Sequence, residues 1–406
     1  MSNKVTTKTM KHYGKRELKP KLRFPEFRDA EGWAETQIGA LAISESSTLA
    51  LNRLSFQPKG YPVYGADGNV GFISTFAQGE DYIAIIKDGS GVGRLSLLRG
   101  KSSVLGTLAY LKPKDDSTAI LSWLFYYLSS LTFEKYVKGS GIPHIYFSDF
   151  ASEPVGNPSI PEQQIIAECL TSLDELIAAH GQKLDALKAH KKGLMQQLFP
   201  CEGETLPRLR FPEFRDAAEW DVKPLEQLAT YENGKAHENN ISEGGQYIVV
   251  NSKFISTEGE VRKYSNDAFC MADYGDILMV LSDVPNGKAI AKCYYVEADN
   301  QCTVNQRICR IKPSGIDGKF LLHVLGRNPF FLAFDDGVKQ TNLRKEDVLS
   351  CPICFPQLPE EQKKICHIVS SLDEMIAAQT QKLEALNTHK KGLMQQLFPS
   401  SEEVEA

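Results

Sequence analysis

The chain has 406 residues, 42% hydrophobic and 24% charged, with a formal net charge of -5. This is ordinary globular usage with room for two or three cores, and it argues against a protein that grips nucleic acid by bulk positive charge alone. No run approaches the roughly 18 apolar residues of a membrane span, and the first residues lack the apolar centre of a secretion signal, so a cytoplasmic protein without membrane contact is expected. The nine cysteines have no regular spacing and read as reduced thiols. Cys351 and Cys354 form a lone CxxC in CPICFP. With no second pair to complete a zinc site, they read as small apolar residues of a strand ending at Pro356, and no metal is expected.

Residues 1–19 carry Lys4, Lys8, Lys11, Lys15, Arg16 and Lys19. They read as a flexible basic arm, either solvated or touching phosphates. From Pro20 onward the chain is written twice. PKLRFPEFRDAEGW, Pro20 to Trp33, returns as PRLRFPEFRDAAEW, Pro207 to Trp220; SLDELIAAHGQKLDALKAHKKGLMQQLFP, Ser172 to Pro200, returns as SLDEMIAAQTQKLEALNTHKKGLMQQLFP, Ser371 to Pro399. PSIPEQQ from Pro158 matches PQLPEEQ from Pro356, and GSGIPHIYFSDF from Gly139 faintly echoes GVKQTNLRKEDV from Gly337. In that echo Gly139, Ile145 and Asp149 meet Gly337, Leu343 and Asp347.

The bodies between these repeats, about 34–138 and 221–336, agree only in outline. Each has β-rich stretches, DYIAIIKDGSGVGRLSLL in one and DYGDILMVLSDVPNGKAIAKCYYV in the other. Each then has an apolar helical run, LSWLFYYLSSL or KFLLHVLGRNPFFLAF. The class is α/β (α+β).

The duplicated segments near the end of each half are long helices with a heptad seam. In the first, Ile166, Leu170, Leu173, Ile177, His180, Leu184, Leu187, Lys191, Leu194 and Leu198 alternate steps of four and three. In the second the rhythm runs Ile365, Val369, Leu372, Ile376, Gln379, Leu383, Leu386, Lys390, Leu393 and Leu397. About 36 residues at 1.5 Å each make a rod of ~54 Å, longer than one compact domain needs. The other copy is the natural partner, and a pseudo-two-fold internal repeat would run the two rods antiparallel. His180 and Gln379 interrupt the apolar seams and are expected to face each other and fix register; the plainer alternative points each sideways into water.

Known catalytic constellations are missing. GIDGKF at Gly315 lacks the spacing and hydroxyl of a phosphate loop, and there is no HExxH, GxSxG or [ND]PP[YF]. GSGVG, Gly89 to Gly93, has no helix with a Lys-Ser/Thr pair behind it and reads as a tight turn between strands. A non-catalytic, binding chain follows.

The paired LRFPEF motifs, the PxxPEEQ-type helix starts, the twin SLDE…HKKGLMQQLFP rods and the two unlike bodies resemble the specificity subunit of type I restriction-modification systems. GSGIPHIYF, YPVYGADGNVGF and GDILMVLSD are similar to stretches of that family's target-recognition domains. The resemblance implies two target-recognition domains held apart by an antiparallel coiled coil, each reading one part of a split DNA site. It implies as partners double-stranded DNA, two modification subunits and restriction subunits. It also implies no cofactor on this chain, with S-adenosylmethionine, ATP and Mg acting through those subunits. The corresponding boundaries are a basic arm at 1–19, a first recognition domain at 20–157, a long helix at 158–200, a second recognition domain at 201–355, a second long helix at 356–399 and an acidic tail at 400–406.

Candidate DNA contacts are polar or basic residues in loops of the bodies. Lys87, Arg94 and Lys101 around the glycine turn, with His144 in the closing loop, serve the first; Asn286, Lys288, Lys339, Asn342 and Arg344 serve the second. Solvated loop charges are the alternative for each. The repeated Phe24, Phe27, Phe211, Phe214, Leu194 and Leu393 are candidates for partner docking, since two copies of a partner need two equivalent surfaces. A non-catalytic coiled-coil scaffold that binds proteins is the rival reading, favoured by the net acidity.

Overall fold

A computed structural model describes residues 17–399, so most of the basic arm and the whole acidic tail lie outside the described residues. The chain forms two compact units that do not follow chain order. One is built from the residues up to Gln182 together with those from Thr380 onward, and the other is Lys183–Gln379. Each long helix, Ile160–Leu198 and Pro359–Leu397, therefore contributes one part to each unit.

The first unit holds a four-stranded antiparallel sheet in the order Ala42–Ser46, Leu108–Pro113, Tyr82–Ile86, Leu95–Leu98. A smaller sheet joins Tyr61–Gly65 antiparallel to Gly68–Ile73 and parallel to Ser103–Val104. The second unit repeats this frame with unrelated letters: Ala229–Asn233, Ile308–Pro313, Ile277–Val280 and Cys293–Tyr295 form its main sheet. There Tyr247–Val250 lies parallel to Cys302–Val304. Tyr82–Ile86 and Ile277–Val280 are buried along their whole length, which is why both read as unbroken apolar runs. Cys354 lies in the strand Pro352–Phe355, just after the buried Cys351.

Each core draws on both long helices. In the first unit Trp33, Trp123, Phe150, Ile166 and Leu170 pack with Leu397 at the end of the second helix and Phe398 just after it. In the second unit Trp220, Phe320, Ile365 and Val369 pack with Leu198 of the first helix, and Phe199 joins them at the edge. The twice-written LFP thus seals the core of the body that it does not follow in sequence. These contacts, with the Lys390–Asp174 ion pair in the first unit and Lys191–Asp373 in the second, run the two helical segments in opposite directions within each unit. Every seam position is buried or half-buried. Gln379 keeps 7% of its surface exposed, and His180 is half-buried.

One alignment shifts. The helices begin at Ile160 and Pro359, so Glu162 and Gln163 occupy the places of Glu361 and Gln362. A letter-by-letter match of PSIPEQQ with PQLPEEQ is one residue out of step, because matching prolines hid the slip. Gln163 Oε1 accepts from Ile120 N at 2.9 Å, as Gln362 Oε1 accepts from Asp317 N at 2.7 Å. Each glutamine ties its long helix to the start of the packing helix Leu121–Ser130 or Gly318–Leu325.

Candidate DNA-reading loops

The reason for the repeated LRFPEF is a buried clamp. Arg23 donates from Nε and Nη2 to Glu162 at 2.7 and 2.8 Å, while its Nη1 and Nη2 reach the carbonyls of Ala30 and Glu31 at 2.8 Å. Trp33 Nε1 donates to the same carboxylate at 3.1 Å. Arg210, Glu361 and Trp220 repeat the arrangement, with Arg210 on the Ala217 and Ala218 carbonyls. Glu162 and Glu361 are both only 1% exposed, so each needs this set of donors. Each guanidinium is held more firmly protonated than usual by its hydrogen-bonded glutamate.

The clamp lies beside the candidate docking residues. Phe24 and Leu393 pack half-buried against the core of the first unit, as Phe211 and Leu194 do in the second. Phe27 and Phe214 are half-buried in matching turns, each N–H bonded to the carbonyl of Phe24 or Phe211 at 2.9 Å. Sequence reading singled out these phenylalanines and missed the arginine, glutamate and tryptophan. The signal was present in the letters, since all three return in both copies.

In the first unit the turn after Tyr82–Ile86 is stitched to the closing loop. Ile145 N donates to Lys87 O at 2.8 Å, Gly89 N to Pro143 O at 2.9 Å, and Lys138 and His144 exchange backbone bonds at 2.9 and 2.8 Å. Gly139, at φ 90°, lets the closing loop double back; a Cβ there would stand 2.5 Å from the Ile142 carbonyl oxygen. Lys87 is mostly buried and pairs with Asp88 at 3.2 Å, while Arg94 is half-exposed and tied to the Ala66 carbonyl and to Asp67. The His144 ring lies 5.3 Å from that of Tyr146. Lys87, Arg94 and His144 therefore share one loop cluster. Lys101 does not join it: it follows Leu95–Leu98, at the end of that hairpin away from the turn. Lys101 is close to the glycine turn in sequence, but the strand Leu95–Leu98 between them carries the chain to the other end of the hairpin.

The second unit builds the same cluster by other bonds. Ser282–Asp283 pairs with Thr341–Asn342, Leu343 N donates to Leu281 O at 2.8 Å, and Asn286 Nδ2 donates to Gly337 O at 3.1 Å. Asn286, Lys288, Lys339, Asn342 and Arg344 are all exposed there. The faint echo in sequence is physical. Gly139 and Gly337 both take positive φ, and Ile145 and Leu343 are both buried. Asp149 accepts from Tyr146 N at 2.9 Å, as Asp347 does from Arg344 N at 2.8 Å. A hydrogen bond from Lys138, with that backbone bond, holds the Asp149 carboxyl below the usual range. Among the described residues, no group of His, Cys, Asp and Glu could hold a metal ion, and no helix is long and apolar enough to cross a membrane.

Two bodies of one frame, each hung on both long helices and each ending in a polar loop cluster, define a duplicated recognition protein. The chain belongs to the type I restriction modification DNA specificity domain family, which matches residues 30–189 and again 217–388. It is a specificity subunit of a type I restriction-modification system with two target-recognition domains. It is 27% identical over 342 residues, 79% of this chain and 78% of the relative, to the type I restriction enzyme MjaVIII specificity subunit of Methanocaldococcus jannaschii. The putative MjaX specificity subunit of that organism is 22% identical over 76% of this chain and 74% of its own length. Among solved structures, the S subunit of a type I restriction-modification system from M. genitalium superposes with a TM-score of 0.65 at 17% identity, covering 94% of this chain and all of that one. A chain from a study of complex assembly and conformational transition of the type I system gives 0.53 at 14% identity, covering 91% and 98%. At these identities the structural likeness speaks for the fold.

Proposed function

We propose that each unit reads one half of a bipartite, asymmetric DNA site through its loop cluster, and that the long helices form one antiparallel coiled coil that sets the spacer. The observation that carries this reading is the exchange of partners. Asp174 and Asp373 are copies of one another, as are Lys191 and Lys390, and each aspartate meets the lysine of the other copy. Two identical rods pair this way only when they run head to tail about a two-fold axis. His180 and Gln379 then act as the polar register residues of the seam.

The duplicated clamps, with Phe24, Phe27, Phe211, Phe214, Leu194 and Leu393 around them, present equivalent surfaces to two modification subunits. The methyl donor, ATP and Mg act on those and on restriction subunits in the cytoplasm, and this chain contributes recognition without catalysis. Unlike loops imply unlike half-sites, because base edges in the major groove are told apart by particular side chains.

The ruler is tested by adding one heptad to both helices. Each lengthens by ~10.5 Å, about three base pairs at 3.4 Å apiece. Methylation mapping is expected to return both half-sites unchanged around a longer spacer. An unaltered spacer, or loss of a half-site, refutes the ruler, and a complex that selects no bipartite sequence favours a protein-binding scaffold.

A further inference from the structure

Ile142, 72% exposed, is the most exposed large apolar side chain described in the first unit, and Val338, 76% exposed, holds that place in the second. Single exposed apolar residues are ordinary on a protein surface. Here, however, both extremes fall on the same element, the closing loop after Gly139 or Gly337, in bodies whose letters otherwise diverge. Both loops are tied back into the fold. Ile142 lies between Lys138 and His144, which exchange backbone bonds, and the Pro143 carbonyl after it accepts from Gly89 N. Val338 N donates to Asp336 Oδ1 at 2.9 Å, and the Gly337 carbonyl accepts from Asn286. Gly141, beside Ile142, has ordinary φ and open space where a Cβ would stand, so nothing inside the protein calls for glycine. A bare backbone there suits the close approach of something outside.

The neighbours indicate what approaches. Asn286, bonded to the Gly337 carbonyl beside Val338, and His144, whose ring lies 3.5 Å from the Ile142 carbonyl, carry donors suited to purine edges. An A·T pair in the major groove offers adenine N6 and N7 beside one apolar feature, the thymine C5-methyl. We propose that Ile142 and Val338 are specificity-determining residues, each packing on a thymine methyl in the half-site read by its own unit. The proposal rests on the DNA-reading assignment of the loops and adds the chemistry of one contact per unit. Val284, 64% exposed, and Tyr146, 50% exposed, share these loop clusters, so a protein partner is an outcome that the test below decides.

The test uses the full chain assembled with its cognate modification subunits and duplexes carrying the mapped site, with thymines replaced one at a time by deoxyuridine. Removing one methyl from a packed contact is expected to weaken binding about fourfold at one position in each half-site. Ile142→Ala is expected to abolish that sensitivity in the first half-site and leave the second untouched; Val338→Ala does the reverse. Both side chains are exposed, so folding is not at stake. A half-site without such a position, or a sensitivity that survives the matching variant, overturns the methyl contact while sequence-selective binding of the thymine duplex stands. A complex with no bipartite preference removes the DNA-reading assignment as well.

Discussion

Where the two units meet the long helices they are nearly copies; away from the helices they share a frame and little else. The bonds among Arg23, Trp33 and Glu162 recur among Arg210, Trp220 and Glu361, and Gln163 and Gln362 each accept from the backbone N–H at the start of a packing helix. One layer further in, the copies part. Tyr126 on the first packing helix donates to Asp174 at 2.9 Å, and His323 takes its place on the second, near Lys191 and Asp373. Beyond that the second unit buries His237 against Thr303 and holds every cysteine except Cys169. On the proposed docking of two modification subunits, surfaces that serve one partner twice stay alike, while cores that only fill their own space drift, because a core tolerates many apolar sets of the right volume.

The clamp gives the largest break in this symmetry. Arg23→Ala leaves Glu162 buried with its main partner gone, a loss of about 3–5 kcal/mol. Hydrogen exchange on the full chain is expected to report that loss in the first unit and to leave Lys183–Gln379 protected. Arg210→Ala reverses the pattern. Equal loss of protection in both units from either variant means that the clamps do not act unit by unit.

The Tyr126–His323 difference offers a smaller effect that depends on pH. Burial, then the charge of Lys191, pushes His323 down to about 4, while Asp373 and Asp317 pull the other way and Lys319 adds to the depression. At neutral pH the native imidazole is uncharged. Between pH 6.5 and about 4 the unfolded chain binds a proton that the folded one refuses, so stability falls as pH falls through this window. Discounted for the partial exposure of the ring, the loss is on the order of 2 kcal/mol. Tyr126, which burial pushes up to about 12, does not titrate there. The second unit is therefore expected to lose exchange protection before the first on acidification, and His323→Tyr to remove the difference. Parallel loss in both units, unaltered by the substitution, disproves the assignment.

What the sequence made legible follows the same division. Repetition exposed the rods and the LRFPEF motifs, because contacts used twice are written twice, and the 3–4 rhythm identified a seam whose every position is at least half-buried. Near-neighbour loops were legible too: Asn286, Lys288, Lys339, Asn342 and Arg344 gather on one cluster. Lys101 was misplaced because nearness in sequence hid the intervening strand Leu95–Leu98, which carries the chain away from the turn. The clamp was missed because a buried arginine and a buried glutamate look in sequence like solvated charges; only their pairing across 139 positions shows otherwise. Nor do the letters show that Leu397 and Phe398 close the core of the first body, since no periodicity records which end of a long helix meets which sheet.

The finest test of the comparison lies in the ion pairs themselves. Lys390–Asp174 and Lys191–Asp373 are half-exposed, so each contributes no more than about 1 kcal/mol. Asp174→Lys sets two lysines against each other in the first unit, and adding Lys390→Asp restores the pair with its polarity reversed. The same exchange at Asp373 and Lys191 tests the second unit. If the pairs were interchangeable, the two double-mutant cycles would return equal couplings. They should differ, because the Tyr126 hydroxyl also donates to Asp174, and Lys390 lies 5.4 Å above the Tyr126 ring. The coupling in the first unit is expected to be the larger by a few tenths of a kcal/mol, with Tyr126→Phe reducing it. Equal couplings that persist in Tyr126→Phe place the tyrosine outside the pair, and the drift between the copies then begins deeper than the helix surface.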